Sequence, residues 1–511
     1  MKFIGIACAL FISANLWAQY GNKGQGSRIF YDIEEALQTP KAVFKLYVEH
    51  DDLEQLPDRI TEFKELRELQ LGGNPNLDWE LVFELLGELP QLEKLSLSEN
   101  KMARLPQSIT NLKRLKILTL VGNPNLDWEK TFECLKQLPN LEVLDIGNNK
   151  IKDLPPNIGK LSTLRKLFLW NNQMINLPPT VGHLVALEEL DLSNNQLRRL
   201  TSTIKQLKKL QRLYLWNNHL TELPDEIGKL GNLEMLNLGG NNLTTLPSTI
   251  QQLKQLKNLG LAYNNLLYFP KNFSSLKRLR NLDLEGNPKL NWVSVFSKPK
   301  KLKDLAVLNI INNELIDLPT NIDQLPHLQV LDVKQNPNIN WRSAFTQLAG
   351  VTSLQQLDIS SNNIQNLPSE ITYIKNLKYL HLGSNPGLEW KEAFFSISKL
   401  KSLETLILSS NDLKELAKEV NQLTNLKELE LGNNPALNLE DLFETLSSMN
   451  NLETLSLIDN KISQVSLSIG KLKHLKVLHF WMNEIHLNSS EHKNIQDLLP
   501  KTSIIYMPRY L

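Results

Sequence analysis

The chain has 511 residues, 41% of them apolar and 22% charged, with 56 Lys and Arg against 55 Asp and Glu and only 2 Cys. That balance excludes a polycationic nucleic-acid binder, whose affinity comes from neutralising phosphates, and the apolar and charged fractions exclude both a disordered chain and a polytopic membrane protein. A non-periodic chain of this length would form three or four domains, but this one is periodic.

At the amino end, Lys2 precedes an apolar run from Phe3 to Leu16, closed by the small residue Ala18. The run is too short to cross a ~30 Å hydrocarbon core, and the polar stretch Gln19 to Ser27 comes at once after it. Residues 1–18 therefore read as a secretory signal peptide cleaved after Ala18. This places the mature chain in the periplasm, on the cell surface or outside the cell, with no transmembrane span. Cys8 leaves with the signal, so the mature chain keeps Cys134 alone and forms no internal disulfide. Residues 19–42 are expected to form an amino-terminal cap, with Asp32-Ile-Glu-Glu35 opening a short helix.

From residue 43 to residue 483 the pattern LxxLxLxxN recurs, as in Leu66-Arg-Glu-Leu69-Gln-Leu71-Gly-Gly-Asn74 and Leu187-Glu-Glu-Leu190-Asp-Leu192-Ser-Asn-Asn195. The closing Asn returns at spacings of 23 or 26 residues only, and a degenerate first copy, Val43 to Asp51, brings the count to about 19. Each copy is one short strand plus a return segment that cannot bury its own leucines, so copies must stack into a continuous core. Leucines at positions one, four and six point inward. Nine of the twelve shorter intervals carry Leu-Pro or Phe-Pro at the return, as in Leu223-Pro224-Asp-Glu-Ile227. The longer ones begin with Asn-Pro, as in NPNLDW at 123 and NPNINW at 336. Their three extra residues make about one helical turn. Trp128, Phe132, Leu135 and Leu138 are spaced as one face of a short helix, and Asp78, Asp127, Asn291 and Asn340 stand where N-caps belong. Trp79, Trp128, Trp292, Trp341 and Trp390 accordingly read as core, and Cys134 as a small buried apolar residue.

This pattern resembles the leucine-rich-repeat family, and the LPxxI copies resemble those of Ras-group and plant-type scaffolds. The resemblance implies an α/β solenoid, a curved horseshoe with a parallel sheet on its concave face and short helices or 3-10 turns on its convex face. It also implies that the recurrent Asn satisfies backbone groups of adjacent turns, and that the chain is a non-catalytic scaffold that binds proteins. Because a signal precedes the repeats, the cytosolic partners of those relatives do not carry over. Residues 484–511 form a second cap, with a helix from Ser489 to Leu499 and a last strand at Ser503-Ile-Ile-Tyr506. The caps lack cysteine, unlike many eukaryotic extracellular members, and this favours a bacterial exported protein.

In LxxLxLxxN the third, fifth, seventh and eighth positions face away from the core. Over the eighteen copies ending at Asn74 to Asn483 they hold twelve acids and four bases, an excess of eight negative charges. This disfavours nucleic acid and favours a basic or amphipathic protein partner. Trp170, Trp216 and Trp481 occupy the seventh position and are expected to be exposed. Phe168 and Tyr214 occupy the fifth position of the first two of these copies, Asp191 lies in the copy between, and Arg212 and Tyr263 are nearby. At ~4.8 Å per strand, Phe168/Trp170 and Tyr214/Trp216 stand roughly 10 Å apart. Phe168, Trp170, Asp191, Arg212, Tyr214, Trp216 and Tyr263 are the candidate partner-binding residues, with the composition of an interface hot spot. A carbohydrate or cell-envelope glycan stacking on the same aromatics is the alternative, and mutual packing of these side chains is the structural one. Tyr379/His381 and His479/Trp481 are weaker clusters. The sequence has no nucleophile elbow, phosphate-binding loop or paired-cysteine metal spacing, so no catalytic residue, metal or cofactor is expected.

Overall fold

The computed structural model describes residues 28–485, 487 and 489–506, so the signal segment 1–18 lies outside the described residues. The chain divides between Asn265 and Leu266 into two compact units. In the first, ten parallel three-residue strands run from Lys45–Tyr47 to Asn258–Gly260, and in the second ten more run from Asn281–Asp283 to Ser503–Ile505, counted among the described residues. Within each unit equivalent positions stand side by side, as in Leu167, Leu190 and Leu213.

Each strand spans only positions three to five, centred on the inward leucine at position four, because the turn follows two residues after the leucine at position six. At the eighth position the backbone enters the left-handed region, with φ of 51° at Asn171, 55° at Asn194 and 55° at Asn217. Small polar residues and glycine tolerate this conformation, and it ends the strand. The closing Asn then fills the hydrogen-bonding needs of the turn. Asn195 donates from Nδ2 to the carbonyls of Leu169 (2.9 Å) and Leu192 (3.0 Å), and its Oδ1 accepts from the Met174 N–H (3.1 Å). The role implied by the family resemblance is the one observed.

Return segments differ with the two interval lengths. After Leu-Pro the chain makes a 3-10 turn, such as Asp225–Lys229 after Pro224, and buries Ile227. The longer intervals make α-helices, such as Trp128–Leu135 and Trp341–Leu348, whose first N–H groups are capped by Asp127 and Asn340. The tryptophans that open these helices depart from expectation. Of the five, only Trp341 is buried, and the others are half-buried. The core residue is the phenylalanine one turn later: Phe83, Phe132, Phe296, Phe345 and Phe394 are buried. A residue in the first helical turn lies at the end of the packed face, so its ring lies against the phenylalanine, with centroids 6.1 Å apart for Trp128 and Phe132. Cys134 is buried as expected, and burial raises its thiol above the ordinary range.

At the amino end, Asp32 caps the helix Ile33–Leu37, and Phe30 pairs with Leu46. At the carboxyl end, Ser489 caps Ser490–Leu498, and Ser503–Ile505 pairs with Val477–His479. No helix among the described residues is long and apolar enough to cross a membrane.

Candidate functional site

The aromatic-rich copies lie in the first unit, where register aligns three rows of side chains. The third-position row reads Val143, Lys166, Glu189, Arg212, Met235, and the fifth reads Asp145, Phe168, Asp191, Tyr214, Asn237. The seventh-position row, two residues further on, reads Gly147, Trp170, Ser193, Trp216, Gly239.

In the third row one acid lies between two bases. Glu189 Oε2 stands 3.3 Å from both Lys166 Nζ and Arg212 Nε. Strand spacing forces this contact, because neighbouring third-position side chains emerge ~4.8 Å apart.

The fifth row corrects the sequence reading. Phe168 and Asp191 are buried, at 1% and 0% exposure, and Tyr214 is nearly so at 9%. Phe168 packs against Ile117 and Val143, and Trp170 lies against that cluster. A large ring between close-packed strands is covered by its neighbours, so Phe168 is a packing residue. Asp191 is short and lies between two rings, which bury it completely. Its Oδ1 accepts from the Ser193 N–H at 2.9 Å, while Oδ2 is buried without a partner. Burial pushes its carboxyl up to about 6, against the opposing pull of Ser193, and Asp145 rises to about 7 for the same first reason.

The seventh row holds the surface aromatics. Trp170 and Trp216 are half-buried, because each indole lies on a glycine. A Cβ on Gly147 would stand 2.3 Å from Trp170 Cε2, and one on Gly239 would stand 2.8 Å from Trp216 Cδ1. The rings therefore lean away from each other, Trp170 toward the preceding copy and Trp216 toward the following one, and small Ser193 lies between them. The two glycines escaped the sequence reading. Their signal was present as a Gly at the seventh position immediately beyond each Trp.

Six of the seven candidate residues are thus brought together on three adjacent strands. Tyr263 is not among them: it stands at an eighth position two copies beyond Tyr214, with φ 51° and half of its surface exposed. The simple acidic excess is also revised. Six of the twelve acids, Glu68, Asp145, Glu189, Asp191, Asp283 and Asp358, are buried. Glu68 further pairs with Lys45 and Lys94.

In the second unit the fifth-position row includes Asp332, Asp358 and His381. His381 Nδ1 lies 2.9 Å from Asp358 Oδ2. Burial pushes Asp358 up, but the hydrogen bond and charge of His381, helped by Ser360, outweigh it and hold the carboxyl below the ordinary range. Burial and then Asp358 push Asp332 up. His479 and Trp481 are half-buried, and burial lowers the His479 imidazole.

Family models described as a leucine-rich repeat region, a leucine rich repeat and a Leucine Rich Repeat match residues 213–314, 162–215, and 140–161 with 353–374 respectively. Among solved structures, the chain is similar to a leucine-rich-repeat protein of Leptospira interrogans, with 30% identity, 94% of this chain and 100% of that one covered, and a TM-score of 0.55. It is also similar to TLR13 in the TLR13–ssRNA13 complex, with 23% identity, 92% and 82% covered, and a TM-score of 0.52. For the plant peptide hormone receptor RGFR1 in complex with RGF2 the values are 19%, 93%, 84% and 0.48. No curated protein matches the sequence.

Proposed function

Since this chain belongs to the leucine-rich-repeat family, we propose that it is an exported, non-catalytic recognition scaffold whose sheet face binds a protein partner around Trp170 and Trp216. The observation that carries this reading is the arrangement of the two indoles. Each lies on a glycine, each keeps part of its ring at the surface, and they frame a small serine. Large, rigid, partly exposed aromatics beside an arginine supply contact area at low entropic cost. Arg212, held by Glu189, and the edge of Tyr214 complete the patch. Phe168 and Asp191 support it from below, and Tyr263 lies outside it.

The test is a screen of the purified mature chain against displayed protein and peptide libraries, followed by the Trp170→Ala/Trp216→Ala double variant on whatever binds. The expected result is at least a tenfold loss of affinity with an unfolding midpoint shifted less than by Phe168→Ala. Retained affinity in the double variant would remove the patch from the interface, and selective binding on a glycan array would replace protein by carbohydrate. For export, sequencing the native amino terminus should find Gln19 first, and recovery from cytosol with residues 1–18 attached would overturn that part of the proposal.

A further inference from the structure

We propose that the return segments between Lys271 and Lys303 form a second binding surface, for a linear acidic polysaccharide, separate from the aromatic patch. Along parts of both units the surface neutralises itself. At the second position of LxxLxLxxN, just before each strand, charges alternate from copy to copy. In the first unit Glu93, Lys116, Glu142, Arg165 and Glu188 succeed one another, with ion pairs such as Lys116–Glu93 at 3.0 Å and Arg165–Glu188 at 2.9 Å. In the second unit Lys378, Glu404, Lys427, Glu453 and Lys476 do the same, at 3.5 Å for Lys378–Glu404 and 2.7 Å for both Lys427–Glu404 and Lys476–Glu453. Stacked copies place these positions next to each other, so alternation cancels charge locally.

The alternation skips a copy at Gln211 in the first unit and is absent over the first four copies of the second. Arg280 is succeeded at the second position by Ala306, Gln329 and Gln355. The backbone link is direct, since Ala306 N–H donates to the Arg280 carbonyl at 2.9 Å. Around Arg280 the return segment adds Lys271, Lys277 and Arg278, and the next one carries Lys298, Lys300, Lys301 and Lys303. All eight side chains are exposed, and Asp304 is the single exposed acid between residues 271 and 304. The register Asn281↔Val307 puts Lys277 beside Lys303 and stacks the two segments as adjacent rungs. Arg278 shares its register position with Asp304 and Lys300 with Asp323, and the remaining like charges on the two rungs repel one another, a cost a bound polyanion would remove.

The neighbouring residues select the class of polyanion. Phe273, Leu276, Leu279, Pro299, Leu302 and Leu305 in these rungs are all buried, and Val293 is the one large apolar side chain between residues 271 and 303 that is exposed. The two rungs themselves bring no ring to the surface, the half-buried Trp292 standing in the helix between them, and the patch has no cluster of apolar side chains to enter a bilayer. What it offers is mostly lysine, a flexible point charge, in a two-rung strip. That suits sulfate or carboxylate groups repeated along a sugar chain.

The experiment uses a heparin-derived dodecasaccharide as the probe and measures its binding isotherm at 50 and 200 mM salt. The cluster variant Lys277→Ser/Lys300→Ser/Lys301→Ser/Lys303→Ser should bind at least tenfold more weakly than the parent at low salt, with a shallower salt dependence. A control with equal charge loss, Lys113→Ser/Lys152→Ser/Lys375→Ser/Lys473→Ser, should lose less than threefold. All eight of these lysines are exposed, and matching circular dichroism melts verify folding. Equal losses in both variants, or none in the cluster variant, would overturn the site. Tighter binding to a 20-residue oligothymidylate or to phosphatidylcholine/phosphatidylserine vesicles would overturn the polysaccharide assignment. Loss of dodecasaccharide binding in Trp170→Ala/Trp216→Ala would place it on the aromatic patch instead and overturn the proposal.

Discussion

Asp191 in the first unit and Asp358 in the second occupy the same position of the same repeat, and both are buried. Both accept at Oδ1 from the backbone N–H two residues on, at 2.9 Å in each case. Their second oxygens differ. Asp358 Oδ2 meets His381 at 2.9 Å, and its carboxyl is held below the ordinary range, while Asp191 Oδ2 has no partner and its carboxyl rises to about 6. The repeat uses at most the first oxygen. Asn237 and Asn309 supply it equally well, accepting from Gly239 at 3.1 Å and Ile311 at 3.0 Å. The turn uses one acceptor where this position supplies it and forms without one at Phe168 and Ile407, and each neighbourhood decides what becomes of a second oxygen.

The largest effect expected from breaking the comparison is at the ring that buries Asp191. Phe168→Ala should destabilise the chain by about 3–5 kcal/mol, read by urea unfolding, because it empties a close-packed site. A loss below about 1 kcal/mol would mean that the row is loosely packed. Next, Asp191→Asn should stabilise. A carboxyl raised in the folded state binds a proton that the unfolded chain releases, so stability falls as pH rises from about 4 to about 6 and stays low above that. Asparagine removes this slope, giving about 2–3 kcal/mol at pH 7 and nothing near pH 4. Unfolding curves at the two pH values decide it, and a destabilised variant at pH 7 would show the charge to be compensated.

His381→Ala tests the other unit with the opposite sign. Asp358, held low, contributes stability above its unfolded value and loses it as pH falls through the folded one. Without His381 the variant should lose about 1–2 kcal/mol at pH 7, and the Asp358 titration, tracked by carbon-detected NMR, should move up. An unmoved titration would assign the low value to Ser360 alone. The smallest effect is expected at the glycine sockets. Gly147→Ala should cost about 1 kcal/mol and red-shift the emission of Trp170 as the indole is pushed off its support. Gly239→Ala, where the clearance is 2.8 Å and not 2.3 Å, should do less.

Much of this was legible in the chain. Period, strand positions, the helices of the longer intervals, their caps and both terminal elements come from residue spacing, because each copy repeats one local solution. The site was legible only in outline. The spacing placed Phe168, Trp170, Asp191, Arg212, Tyr214 and Trp216 on adjacent strands, but it could not rank their burial. Exposure in a parallel sheet depends on the size of the residue one copy away, and that residue is 23 or 26 positions distant in sequence.

By itself, then, the sequence determined a stack of about 19 leucine-rich turns and the rows of side chains they line up. Only the tertiary structure decided which members of those rows reach solvent, since ~4.8 Å spacing lets a large ring cover a short neighbour. It also decided how the near-neutral total charge is distributed. Part of that charge cancels between stacked copies, as at Lys378–Glu404. Around Arg280 and the lysines from Lys271 to Lys303 this cancellation is incomplete, because the register puts Ala306 beside Arg280 and Lys303 beside Lys277, with Asp304 beside Arg278.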